Sequence, residues 1–179
     1  MPLPADLSLC DLGLDDLDAV IDLVARCDRT YLDWAPTGWD VPNLELDRAR
    51  WEESWDVPGR WTKGAVDPSW LLVAMAGWRP EQGADGRALP GVAHISALFV
   101  DPSRWREGIA ASLLELAEAS MSAHGYCLAR LWTPELAPAR GFYEALGWAV
   151  DGRRRWHEAL ELPVVGYEKR LPPDPASRR

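Results

Sequence analysis

Leu98-Phe-Val-Asp-Pro-Ser-Arg-Trp-Arg-Glu-Gly-Ile-Ala-Ala-Ser-Leu-Leu114 is the stretch on which the fold turns. An apolar, β-prone run stops at Asp101-Pro102, since proline has no amide to give to a strand ladder. After Gly108 an Ala/Leu-rich segment sets Ile109, Leu113, Leu116 and Ala117 on one helical face. A strand therefore passes through a short loop straight into a helix, and the small residues Gly108 and Ala110 leave the first-turn amides uncovered. Free N–H groups at a helix start, reinforced by the helix dipole, can hold a pyrophosphate without any side chain.

Upstream of this stretch, Leu7–Leu12 alternates as a strand, and Leu14–Cys27 spaces Leu14, Leu17, Val20, Ile21 and Val24 as one face of a helix. Tyr31–Asn43 holds Trp, Pro and Gly and reads as a loop; Leu44–Trp55 reads as a helix with Leu44, Trp51 and Trp55 inward, ended by Pro58-Gly59. Strands are predicted at Arg60–Val66, Trp70–Trp78 and Val92–Val100, the last two joined by a Gly-rich turn, Gln82–Gly91. The helix Gly108–Ala123 follows, then strand Cys127–Trp132, helix Pro138–Leu146 and strands Trp148–Trp156 and Pro163–Arg170. Strands with interspersed helices predict an α/β (α+β) protein built on one mixed sheet. One domain is expected over 1–171, with a disordered, Pro-rich tail at 172–179.

With 179 residues, 47% of them hydrophobic, the chain can bury a proper core. Its formal charge of −9 argues against nucleic acid as a main partner. No apolar run spans a bilayer and the first residues resemble no export signal, so a cytoplasmic protein without membrane contacts is expected. Cys10, Cys27 and Cys127 are too few and too scattered for a disulfide framework or a zinc site; no metal is expected. Residues 1–90 carry 17 Asp/Glu against 8 Lys/Arg, and residues 91–179 carry 11 of each. Seven of the 11 Trp also lie in the first half. That asymmetry would suit a cationic or amine ligand on one side and an anionic one on the other, but composition alone favours a solvated acidic surface over a Trp-filled core.

Trp105-Arg-Glu-Gly-Ile-Ala110 resembles the acetyl-CoA-binding motif (Gln/Arg)-x-x-Gly-x-(Gly/Ala) of the GNAT superfamily of N-acetyltransferases. Trp105 stands where Gln or Arg is usual, with Arg104 and Arg106 flanking it. Ala139-Arg-Gly-Phe-Tyr-Glu-Ala-Leu-Gly-Trp148 is similar to the family's Ala-x-x-Phe-Tyr-x-x-x-Gly-Phe block, with Leu136 where many members have Asn. The resemblance implies a mostly antiparallel sheet of six to seven strands, about four helices, and parallel strands 4 and 5 that splay apart. It implies acetyl-CoA as cosubstrate, its pantetheine paired with the backbone of Leu98, Phe99 and Val100. The amides of Arg106, Glu107, Gly108, Ile109, Ala110 and Ala111 would grip the pyrophosphate, with Phe142 also at the cofactor. The acceptor is expected to be a small primary amine, aromatic or antibiotic-like. A protein α-amine or lysine, a non-catalytic acyl-CoA-binding module and a homodimer remain open alternatives.

Acetyl transfer to an amine needs a neutral nucleophile, stabilisation of charge on the thioester oxygen, and a proton for the leaving thiolate. His94 is the candidate base. His94-Ile-Ser-Ala-Leu-Phe-Val100 is similar to the His-x-His-Ala-Leu-x-Val strand of arylalkylamine N-acetyltransferases, and period-two alternation sets His94, Ser96 and Leu98 on one side. A strand bulge near Leu98 would aim an amide at the thioester oxygen. Tyr143, whose phenol has a pKa of ~10, is the candidate acid for a thiolate of pKa ~8–9. Core packing is the plainer reading of both side chains. Glu135 is a fallback base, His124 reads as a helix cap, and His157 follows a basic run, Arg153–Arg155, that reads as a solvated hairpin face. The resemblance implies that the region between the first helices covers the acceptor, which makes Tyr31, Trp34 and Trp39, with Asp33 and Asp40, the expected acceptor wall; Trp132 is expected to line the acceptor channel.

Overall fold

The computed structural model describes residues 2–55 and 57–173, so positions 174–179 of the expected tail lie outside the described residues. In chain order the elements are β1 (Ser8–Asp11), α1 (Leu17–Asp28), α2 (Leu44–Trp55), β2 (Trp61–Val66), β3 (Leu72–Gln82), β4 (Ala88–Val100), α3 (Ile109–Ala123), β5 (Leu128–Pro134), α4 (Ala139–Ala145), β6 (Ala149–His157) and β7 (Leu162–Arg170). The strands form one seven-stranded sheet in the order β1-β2-β3-β4-β5-β7-β6, antiparallel except between β4 and β5. This is the mixed sheet that the sequence pattern predicts, with the mostly antiparallel order and four helices that the resemblance implies.

Local chemistry accounts for the boundaries. Leu14 falls in a 3-10 turn ahead of α1 and is exposed, whereas Leu17, Val20, Ile21, Leu23 and Val24 are buried. Asn43 caps α2, its side-chain oxygen accepting from the amides of Glu45 and Leu46. Leu44, expected inward, is exposed, while Trp51 and Trp55 pack on the core. Strand β3 begins at Leu72, not Trp70, because Asp67 folds the preceding residues into a turn by accepting from the amides of Ser69 and Leu71. The β3–β4 turn is tighter than the Gly/Pro signals suggest: Gln82 pairs with Ala88. The loop expected over Tyr31–Asn43 starts inside a 3-10 turn, Arg29–Asp33.

Helices cover both faces of the sheet. On one face Val20, Leu23 and Val24 of α1 pack with Met75, Ala97 and Phe99. On the other, Leu114, Ala117 and Met121 of α3 and Tyr143 of α4 pack with Trp78, Ala93, Ile95 and Tyr167. Each large side chain so buried contributes about 1.5–3 kcal/mol. The Tyr167 hydroxyl donates to Glu144 Oε1 at 2.7 Å and accepts from Arg140 Nε at 3.0 Å, tying α4 to β7.

Two irregularities of β4 position the site. Its parallel pairing with β5 covers only Val92↔Leu128, Ala93↔Ala129 and His94↔Arg130, after which β5 stays with β7 while β4 stays with β3. Against β3, Trp78 pairs with Ile95 and Gly77 with Ala97, so Ser96 is an extra, unpaired residue. A bulge increases local twist and bends its strand. The two parallel strands therefore part just beyond His94, leaving a wedge.

The bulge also corrects the expected alternation. Ala93, Ile95 and Leu98 pack against the α3 face, but Ala97 and Phe99 pack against α1. One added residue shifts the phase by one, so His94 and Leu98 do not share a side, and the irregularity sits at Ser96 rather than near Leu98.

Candidate active site

The wedge opens into a cavity of about 410 Å³, bordered by Ile95–Phe99 of β4, Leu131–Pro134 of β5, Tyr143 of α4, Tyr31, and Arg155 and His157 of β6. Its size is that of a small-ligand site. The free edge of β4 past His94 offers backbone to an extended ligand. Leu98 and Phe99 line the cavity. Val100 does not, and its carbonyl already accepts from Trp105 Nε1 at 2.8 Å and Cys27 Sγ at 3.3 Å.

His94 lines the cavity and is 9% exposed. Its Nδ1 lies 2.9 Å from Glu81 Oε2, yet the contact is poorly directed, and neither atom has a hydrogen bond of good geometry. Burial pushes the imidazole pKa below its ordinary 6.5; Glu81 opposes this, and Arg79 and Arg153 reinforce it. Burial raises the Glu81 carboxyl, but His94, Arg153 and Arg79 outweigh it and hold the group below the usual range. His94 is thus neutral at pH 7, with a carboxylate ready to steady its protonated form.

Tyr143 is 8% exposed and lines the same cavity. Its ring contacts Phe142, Trp148 and Tyr167, and among the described residues its hydroxyl has no hydrogen-bond partner. Burial raises its pKa, so the phenol keeps its proton. Tyr31 faces the cavity, whereas Trp34 and Trp39 stand behind it at ring distances of 4.5 and 5.7 Å. Trp39 Nε1 donates to Leu160 O at 2.6 Å, pinning the loop to the β6–β7 turn. Trp132 lines the cavity; Asp33 and Asp40 are exposed and lie outside it.

The loop before α3 has its own framework. Asp101 accepts from the Ser103 amide and hydroxyl at 2.9 and 2.7 Å and from Arg26 Nε at 2.6 Å, while Arg26 also donates to Leu72 O. Arg104 is committed to Glu107 and Asp6. Gly108 precedes the helix with φ 81° and ψ 1°, a left-handed conformation that glycine adopts without strain. No side chain caps the helix start, and Arg106, exposed, makes no ion pair among the described residues. The uncovered amides fit a diphosphate.

The sequence profile of the Acetyltransferase (GNAT) family matches residues 24–148. The chain belongs to the GNAT acetyltransferase family. This makes it an acetyl-CoA-dependent acyltransferase by family. No curated protein matches the chain. Among solved structures, an acetyltransferase of Desulfovibrio desulfuricans described as putative in the GNAT family is similar at a TM-score of 0.70 and 18% identity, over 93% of this chain and 99% of that one. Aminoglycoside 6'-acetyltransferase type Ii is similar at 0.66 and 20%, over 94% and 99%. The PaiA N-acetyltransferase of Thermoplasma acidophilum, solved with coenzyme A, is similar at 0.63 and 16%, over 92% and 99%.

Of this GNAT domain's predicted site residues, His94, Leu98, Phe99, Tyr143, Tyr31 and Trp132 border one cavity; Arg106 through Ala111, which are not among its lining residues, form the loop and helix start that follow β4 in the chain. Phe142 packs against Tyr143. Glu135 is paired with Arg154 at 2.8 Å, and His124 Nδ1 meets Ser120 O at 2.8 Å. Sequence reasoning missed Arg60, Arg79 and Arg155, all at the cavity wall. Arg155 and His157 alternate along β6, which could have been read as two side chains on one face of a strand. Arg60 and Arg79 carry no motif, and only the pairing of β2 and β3 brings them to this wall.

Proposed function

We propose that the protein is an N-acetyltransferase that moves an acetyl group from acetyl-CoA to the primary amine of a small molecule, residues 1–171 forming the catalytic domain in the cytoplasm. The observation that carries this reading is the wedge past His94, where a free strand edge, a neutral buried imidazole and a protonated buried phenol border one cavity. Acetyl-CoA, when bound, supplies an acetyl group activated as a thioester. The amides of residues 106–111, approached closely at Gly108, hold its pyrophosphate, and the edge at Leu98 and Phe99 takes the pantetheine. His94 Nδ1 is turned to Glu81, which leaves Nε2 to accept the amine proton, directly or through water. As the C–N bond forms and the C–S bond breaks, Tyr143 gives its phenolic proton to the departing sulfur. The Ser96 hydroxyl, buried at the bulge and without a hydrogen-bond partner among the described residues, can orient the water or the acceptor. Among the described residues no helix is long and apolar enough to cross a membrane.

A thiol-release assay of acetyl-CoA against an amine library tests the reading, with calorimetry of acetyl-CoA alongside. Turnover of at least one amine, reduced at least a hundredfold in Tyr143→Phe with cofactor affinity retained, is the expected result. Absence of acetyl-CoA binding would overturn it.

A further inference from the structure

The acceptor side of the cavity carries a charge pattern opposite to the acidic surface of the first half of the chain. Arg60, Arg79, Arg155 and Arg50 border it, against one lining carboxylate among the described residues, Asp28, with Glu81 beside His94 acting on Arg79 and Arg155 from just outside the lining; the remaining titratable groups there are His94, His157, Tyr31 and Tyr143. Burial, with Arg155 and Arg50 adding to it, lowers the His157 pKa, and burial leaves both phenols protonated, so none of these offsets the positive charge at pH 7.

Two of the guanidinium groups are held rigidly. Arg60 stacks on Trp55 at 4.5 Å and on Trp51 at 5.7 Å, while its Nη1 and Nε are bonded to Ser54 and Thr62. Its other terminal nitrogen, Nη2, is buried and has no hydrogen-bond partner among the described residues. Arg155 lies over the Trp132 ring at 4.7 Å. Arg79 pairs with His94 across β3 and β4, so it reaches the wall beside the candidate base. A guanidinium taken out of water next to another, with a donor left unmade, is destabilised in its charged form. Burial and then Arg79 accordingly push the Arg60 pKa down to about 10, which still leaves it cationic at pH 7. A carboxylate or phosphate oxygen meeting the idle Nη2 would supply the missing acceptor and the missing counter-charge together. An ammonium group or a polycation would meet repulsion instead.

We propose that the acceptor is an amine that also carries an anionic group, a carboxylate or a phosphate, seated against Arg60, Arg79 and Arg155 while its amino nitrogen faces His94. This rests on the acetyltransferase reading above and narrows its substrate class. The first comparison pairs matched acceptors in the thiol-release assay: each protein amino acid against the amine lacking its carboxylate, 2-aminoethyl phosphate against ethanolamine, and spermidine as a polycation. The expected result is a kcat/KM at least a hundredfold higher for the anionic member of a pair, the two series telling a carboxylate site from a phosphate site. Arg60→Met, and independently Arg155→Met, should shrink that preference at least tenfold while the Kd for acetyl-CoA, from calorimetry, stays within threefold.

Preference for the uncharged amine or for spermidine overturns the proposal. So does an unchanged preference in both folded variants, checked by circular dichroism, or a tenfold loss of acetyl-CoA affinity with preference intact, which would assign the arginines to the cosubstrate. Intact acetyl-CoA binding with no turnover of any anionic amine overturns it as well. Failure of the wild-type protein to bind acetyl-CoA is a separate result and strikes the underlying reading.

Discussion

Replacing His94 by Gln tests both the burial and the role of the imidazole. The unfolded side chain takes up a proton near pH 6.5, whereas the folded one, buried beside Arg79 and Arg153, does so only at a lower pH despite Glu81. Between those two values the unfolded state binds more protons, so stability falls as pH falls, and it is fully retained above 6.5. A single proton gives a slope of at most about 1.4 kcal/mol per pH unit. For a chain of this size that is about 3–6 °C of Tm per unit, from about 2–4 °C per kcal/mol. His157 is depressed by burial too and adds to the same window, while Glu81, Asp101 and Asp151, whose folded values are lowered, act only below the carboxylate range. The difference between parent and His94→Gln melting curves from pH 6.5 to 5.5 therefore isolates His94. In kinetics, kcat/KM should have an acid limb below pH 6.5 because the base must be neutral, and His94→Gln should erase that limb and lower the plateau about 10²–10⁴-fold. A variant that melts as steeply with acid as the parent, or turns over at the parental rate, refutes the assignment.

Tyr143→Phe removes a hydroxyl with no hydrogen-bond partner among the described residues, so the Tm should hold within about 2 °C, roughly the effect of 0.5–1 kcal/mol, while kcat falls about 10²-fold; equal turnover in stopped thiol-release assays would remove the phenol from the chemistry. Gly108→Trp forces an L-residue to φ 81°, at about 1–2 kcal/mol, and lays an indole over the helix start. Calorimetry should then detect no acetyl-CoA binding to a chain whose circular dichroism is native, and parental binding would count against the diphosphate site. Arg26→Met strips Asp101 of its 2.6 Å partner beneath the loop. Urea denaturation should show a loss of about 1.5–3 kcal/mol, the usual worth of a hydrogen bond to a charged group, and an unmoved midpoint would mean the strut is idle.

Local patterns made most of the fold readable. The 3.6-residue spacing of Val20, Ile21 and Val24, the stop at Asp101-Pro102 and the small residues around Gly108 act within a turn or two of chain, and these decide helix, strand and cap. The positions of His94 and Tyr143 in motifs likewise pointed to one site before any coordinates. What alternation could not reveal was the bulge at Ser96, because an extra residue is defined only against a partner strand, and it moved Leu98 to the opposite face from His94. The family resemblance put Trp34 and Trp39 in a ligand wall, yet stacking on Tyr31 and the bond to Leu160 put them behind it.

Sequence by itself thus determined the order of elements and the strand–loop–helix passage around Gly108, since each depends on neighbours along the chain, while His94 and Tyr143 were named as candidates with the help of a family resemblance. Only the tertiary structure decided the sign of charge at the cavity wall. Arg60 just before β2, Arg79 on β3 and Arg155 on β6 belong to a chain whose net charge is −9, and side chains so far apart in sequence become one electrostatic surface only after the sheet has paired.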